Sequence, residues 1–164
     1  MLLGLVVGKG STAVDDWFQQ FKYSPARYLL FFTDARTLLA VLVACAAVAI
    51  YRRRWTLTAA MLVSPVVAYV LAGLAKRAFG RHKGDALCYP SGHATVMVVV
   101  FGMLVLLAGG ALWATSVVVV VGVLGVLGQA VTYHYFTDAV GGVFLGTAIV
   151  CVASLISGRA PHRT

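Results

Sequence analysis

Apolar residues in this chain fall in long uninterrupted blocks, and polar residues fall in short islands between them. Thr56 to Ala75, Leu112 to Val131 and Ala139 to Ile156 carry no charged residue at all. A bilayer span needs about 20 mostly apolar residues, and a helix that is hydrophobic all round is buried in a core or in a membrane. The blocks predict about five spans. The first starts around Tyr28 or Thr33 and reaches Ile50, and the second is Thr56 to Ala75. The third runs from a Ser91-Gly92 cap to about Leu107, the fourth from Leu112 to Val131, and the fifth from Ala139 to Ile156. Ahead of them, Val14, Trp17, Phe18 and Phe21 recur at i, i+3, i+4 and i+7, with Asp, Gln and Lys on the opposite face. That spacing predicts an amphipathic interfacial helix, capped by Ser11 or Thr12 and ended by Ser24-Pro25. The expected fold class is an all-α polytopic transmembrane helix bundle, one membrane-embedded domain over 1–164.

Composition and charge sharpen this picture. With 164 residues and a net charge of +8, a basic soluble nucleic-acid binder is conceivable, but the sequence is 61% hydrophobic and its cations cluster between spans. Membrane topology and anionic headgroups explain such clusters, so no nucleic-acid partner is expected and the bilayer is. Arg52-Arg53-Arg54, flanked by Tyr51 and Trp55, predicts a cytoplasmic turn. The basic tail Gly158 to Thr164 predicts a cytoplasmic end. Leu2 to Val7 is too short for a secretory signal, and residues 1–10 have no assigned role. Cys45 and Cys151 lie in apolar blocks as packing residues, and Cys88 has no cysteine neighbour that would imply a disulfide or zinc site.

Lys76, Arg77, Arg81 and Lys83 then fall on the outer side of the membrane, against the usual bias, and an anionic ligand supplies a reason. Tyr89-Pro90-Ser91-Gly92-His93 follows and opens a helix, whose start presents free N–H groups to an anion. His93 and His134 are 41 residues apart, two spans and a turn, so both return to one membrane face. Each histidine alone is more often interfacial than catalytic, Asp138 can serve as a helix-dipole partner, and Lys76 can snorkel. Their co-location is what favours a site.

His134 and Asp138 are at i and i+4, one helical turn apart. A carboxylate on one ring nitrogen fixes the tautomer and frees the other for attack on phosphorus. His93 at the helix start is placed to protonate a leaving oxygen, and Lys76, Arg81, Lys83, Ser91 and Gly92 to hold a phosphate. Two histidines and Asp138 are also metal-ligand types, but the surplus of cations argues against a metal, and no cofactor is expected.

These residues resemble the type 2 phosphatidate phosphatase superfamily. Its motifs are Lys, six residues, Arg-Pro; Pro-Ser-Gly-His; and Ser-Arg, five residues, His, three residues, Asp. Here the first is carried by Lys76 and Lys83-Gly84, so lysine and glycine stand where the family has Arg-Pro. The second is Pro90-Ser91-Gly92-His93, and in the third Leu127-Gly128 precede His134 and Asp138 in place of Ser-Arg. The resemblance implies His134 as nucleophile, Asp138 as its partner and His93 as acid, with Lys76, Ser91 and Gly92 on phosphate. It implies a cell-membrane enzyme, metal-independent, cleaving a lipid phosphate or pyrophosphate at the outer face. A polyprenyl phosphate is favoured; phosphatidate, phosphatidylglycerophosphate and polyprenyl-linked sugar phosphates are alternatives. A lipid phosphotransferase and a non-catalytic lipid-phosphate binder remain open.

Overall fold

A computed structural model describes residues 2–158. The basic tail expected on the cytoplasmic side lies almost wholly outside the described residues. The chain forms helices α1 (Leu2–Val6), α2 (Ala13–Gln19), α3 (Ala35–Tyr51), α4 (Trp55–Phe79), α5 (Gly92–Leu107), α6 (Leu112–Ala130) and α7 (Phe136–Gly158). A 3-10 segment, Pro25–Thr33, leads into α3. Strands β1 (His82–Lys83) and β2 (Ala86–Leu87) make a small hairpin between α4 and α5. Its turn uses Gly84 at φ 60°, the left-handed region that glycine enters freely.

Among the described residues, four segments are long and apolar enough to cross a membrane: Pro25–Tyr51, Trp55–Phe79, Leu112–Ala130 and Phe136–Gly158. With α5 they form an all-helical, multi-pass membrane bundle. Leu62, Val63, Val66, Val70 and Leu74 of α4 point outward, an apolar face suited to lipid tails. Helix α5 is shorter, 16 residues, and is the central post, packed against α3, α4, α6 and α7. Its Ala94, Met97, Val99 and Met103 are fully buried.

Helix α7 lies close against α5 because Gly142 and Gly146 carry no side chain. A Cβ on Gly142 would sit 2.5 Å from the Ser91 carbonyl oxygen, and one on Gly146 would sit 2.8 Å from that of Thr95. This is the small-residue contact by which membrane helices approach in the absence of a hydrophobic drive between them. At the far end, Arg54 of the basic turn donates to the carbonyl oxygens of Leu106 and Leu107, at 3.3 and 3.1 Å. It thereby satisfies the open C-terminus of α5.

The N-terminal region departs from the sequence expectation. Thr12 caps α2 in a reciprocal box with Asp15, but the helix ends at Gln19, well before Ser24-Pro25. Asp15 is buried and does not belong to a solvated face. Trp17 and Phe21 stay half exposed, while Phe18 stacks on Phe136 at 4.5 Å between ring centroids. One side of α2 therefore faces outward, and the other closes over the start of α7. Helix α1 also gains a place: its Gly4 packs against the rings of Phe79 and Tyr89.

Candidate active site

Helix ends assemble the site. The last turn of α4 brings Lys76 and Arg77. Gly80, at φ 59°, ends that helix and turns the chain into the hairpin. The start of α5 brings Ser91, Gly92 and His93, with the Ser91 hydroxyl capping the helix by accepting from Ala94 N–H at 3.3 Å. The Ser91 N–H donates to the Asp138 carbonyl oxygen at 2.9 Å, which fastens the start of α5 to the start of α7.

The two histidine rings lie 6.3 Å apart, centroid to centroid, with planes inclined at 55°. The backbone of His134 is gripped from both sides. Its N–H donates to Gln129 O at 3.0 Å, and its carbonyl accepts from Lys83 Nζ and Gln19 Nε2, each at 3.2 Å. Its Nδ1 is buried without a hydrogen-bond partner among the described residues, 3.9 Å from Asp138 Oδ2. That separation is longer than a hydrogen bond, and such pairs commonly tighten when substrate binds.

Asp138 is completely buried. Its Oδ1 accepts from Arg81 Nη1 at 2.7 Å, and its Oδ2 accepts from Tyr135 N–H at 3.1 Å. Arg81, 1% exposed, uses its whole fork in this neighbourhood. Nε and Nη2 donate to Gly10 O, Nη1 donates to Thr137 Oγ1 and Asp138, and Nη2 also meets Asp15 Oδ2 at 2.8 Å. A guanidinium has five N–H donors, so this one has none left for a phosphate. Expected on phosphate, Arg81 is found bracing the carboxylate behind His134.

Asp15 is the second anion of that brace. Burial pushes its carboxyl pKa up, but donors from Thr137, Thr12 and Arg81 outweigh this and hold it below the ordinary value of 3.8. Lys83 sits over the Tyr135 ring at 4.9 Å, beside Arg81 at 4.8 Å, a pair of cation–π contacts. Burial first, and Lys22 second, lower its ammonium pKa from 10.5, with Asp138 pulling the other way. Burial chiefly, with Asp138 nearby, raises the Cys88 thiol to about 12, and its Sγ donates to Arg81 O at 3.3 Å. Cys88 is an inert part of the scaffold.

A cavity of about 820 Å³ opens in front of the histidines. Its polar end is formed by Lys76, Arg77, Gly92, His93 and His134, and its walls are apolar side chains of α3, α4 and α5. Leu39, Tyr69 and Leu74 on those walls are exposed, so the cleft opens sideways towards lipid. Lys83, Ser91, Arg81 and Asp138 stand behind its lining. Among the described residues, no three His, Cys or Asp side chains converge as a metal cluster.

The fold has a solved counterpart. The chain superposes on the crystal structure of a transmembrane PAP2-type phosphatidylglycerolphosphate phosphatase from Bacillus subtilis with a TM-score of 0.79. The match covers 99% of this chain and 94% of that one at 18% sequence identity. The fold is that of a PAP2-type membrane phosphatase. No family model matches the chain, and no curated protein matches it by sequence.

Gly128, where the resemblance expects the arginine of a Ser-Arg pair, is sterically closed. A Cβ at Gly128 would lie 2.7 Å from the backbone of Leu29 and Leu30 in the 3-10 segment, which occupies the space an arginine there would need. Asp15, Gln19 and Gly10 were not visible as site residues in the sequence. Their only signal was the Thr12–Asp15 capping pattern, which reports helix start and not helix partner.

Proposed function

We propose that this protein is a membrane lipid phosphatase that works through a phosphohistidine. The observation that carries this reading is the pairing of His93 and His134 at the polar end of an apolar cleft that opens to lipid. The fold neighbour's activity on phosphatidylglycerolphosphate agrees with it. A lipid phosphate enters sideways, its tail along α3 and α4 and its phosphate against Lys76, Arg77 and the N–H groups at the start of α5.

His134, with Nδ1–H turned to Asp138, attacks phosphorus through Nε2 as the ester P–O bond breaks. The leaving alkoxide takes a proton from His93. Water then attacks the phosphohistidine and gives its proton to His93, and the P–N bond breaks to release phosphate and restore His134. Asp138 balances the charge that His134 gains. Arg81 serves Asp138, and Lys83 serves His134 through its backbone carbonyl.

Tail and phosphate chemistry account for the substrate class; nothing in the apolar walls singles out a polyprenyl chain. The outer-face placement rests on Arg52 to Arg54 at the opposite end of α4, whose 25 residues span about 37 Å. The deciding experiment measures phosphate release by purified protein from a panel of lipid phosphates, with and without chelator. Release that survives in His134→Ala overturns the nucleophile, and release that is lost to chelator and restored by metal overturns the metal-free mechanism.

A further inference from the structure

Between α2 and α3 the chain runs as a 3-10 segment, Pro25–Thr33. Such a helix has three residues per turn, so side chains at i and i+3 eclipse. Arg27, Leu30 and Thr33 therefore stand on one side of it. The segment is held against α6: Thr33 is buried and its Oγ1 accepts from Gln129 Nε2 at 2.7 Å, and the backbone of Leu29 and Leu30 fills the space beside Gly128. Its start is closed by Ser24, whose hydroxyl accepts from Ala26 N–H at 3.3 Å and whose carbonyl accepts from Arg27 N–H at 3.2 Å. Arg27 thus projects from a backbone anchored at both ends.

Arg27, Leu30 and Thr33 line a second cavity, of about 500 Å³, and His93 lines it too. His93, Thr33 and Ala35 are shared with the large cleft, so the imidazole stands between the two. The cleft offers Lys76 and Arg77 on its side of His93, and the smaller cavity offers Arg27 on the other. Arg27 is exposed, and no carboxylate pairs with it among the described residues. Asp34 also borders the smaller cavity, but its Oδ2 accepts from the N–H groups of Arg36 and Thr37 at the start of α3. The Arg27 guanidinium lies over the Tyr28 ring at 5.6 Å, a contact that engages its face and leaves its N–H edge open.

We infer that Arg27 is a phosphate-binding residue, which meets the phosphate from the smaller cavity while Lys76 and Arg77 meet it from the cleft. The inference deepens the phosphatase reading and rests on it. Charge in phosphoryl transfer is spread over three equatorial oxygens, and a phosphate at the start of α5, beside His93, turns oxygens towards both cavities. Arg81 spends its fork on Gly10, Asp15, Thr137 and Asp138, and Lys83 stands behind the lining. Arg27 is therefore the cation that the fold delivers on the far side of His93 among the described residues. Its planar fork can give two parallel N–H···O bonds, which an ammonium cannot. The segment that closes Gly128 to a side chain thereby brings an arginine of its own.

The test uses full-length protein in a neutral detergent, with inorganic phosphate as the binding probe, followed by phosphorus NMR, and a short-chain phosphatidate as the turnover probe. Arg27→Gln should weaken phosphate binding and lower kcat/KM by about 10- to 100-fold each, the loss expected for a hydrogen bond to a charged group. Arg27→Lys should fall between wild type and Arg27→Gln. Arg36→Gln, an exposed arginine that lines neither cavity, should change nothing. Phosphate affinity in Arg27→Gln within twofold of wild type overturns the assignment. So does an effect confined to vesicles of anionic lipid, which would make Arg27 an interfacial anchor. Phosphate binding that depends on Arg27 in a protein that releases no phosphate supports the assignment while retiring the phosphatase reading. If Arg27→Gln does not fold, unchanged phosphate affinity in Arg27→Lys overturns the assignment instead.

Discussion

Arg81 holds one oxygen of Asp138 at 2.7 Å and leaves the other oxygen 3.9 Å from His134 Nδ1. The guanidinium fixes the carboxylate that is placed to fix the imidazole, so it acts on the candidate nucleophile at one remove. Arg81→Met strands two buried carboxylates, and removing one partner of a buried pair costs about 3–5 kcal/mol. Arg81→Lys keeps the charge but cannot bridge Gly10, Asp15 and Asp138 together. In detergent, Arg81→Met should unfold at clearly lower temperature. Arg81→Lys should remain folded with kcat reduced about tenfold or more and KM nearly unchanged, since a positioning residue acts on the chemical step. A large KM rise with unchanged kcat would place Arg81 on the phosphate.

Asp15 gives this brace a pH dependence. Its pKa is held below 3.8, so its stabilising contribution is complete above that value and is lost as pH falls through the still lower folded value. Asp15→Asn should cost about 1.5–3 kcal/mol near neutral pH. The stability gap between wild type and variant should stay constant between about pH 5 and 8 and close below pH 3.8. Chemical unfolding at several pH values measures it, and a gap that closes near pH 6 would locate the titrating group elsewhere.

Gly128 predicts an outcome opposite to simple motif repair. Because a Cβ there would press on Leu29 and Leu30, Gly128→Arg should displace the 3-10 segment and lower stability by about 1–3 kcal/mol. Phosphate release should fall. A rise in activity with unchanged melting temperature would mean that the segment yields to the side chain.

Gly142 tests the seat of the site on its scaffold. Gly142→Val pushes α7 off the Ser91 carbonyl and separates Asp138 from the start of α5. Activity should drop with stability. Gly158→Ala, at the far end of α7 where a Cβ meets nothing among the described residues, should leave both unchanged.

Membrane orientation has its own measurement. Lys83→Cys, assayed in intact cells, should react with an impermeant thiol reagent from outside, while a cysteine at Arg53 should react only after the membrane is opened. The reverse pattern overturns the proposed face.

The bundle was legible in the sequence because charge is expensive in hydrocarbon: uninterrupted apolar blocks have one physical explanation, and loops between them fix which polar islands share a face. Lys76, Gly92, His93 and His134 could be brought to one cavity from span counting alone, with Asp138 one turn behind His134. Gly142 and Gly146 stand one helical turn apart, at the small-xxx-small spacing that permits the close contact seen against α5. The same periodicity misplaced Asp15, because a moment distinguishes apolar from polar faces and does not distinguish water from a buried arginine. Only tertiary structure could decide that Arg81 spends its fork on Asp15 and Asp138, since hydrogen-bond geometry over 66 and 57 residues of separation leaves no local trace. It alone revealed that the space beside Gly128 is filled by the backbone of Leu29 and Leu30, and that Gln129 Oε1 is buried without a hydrogen-bond partner among the described residues.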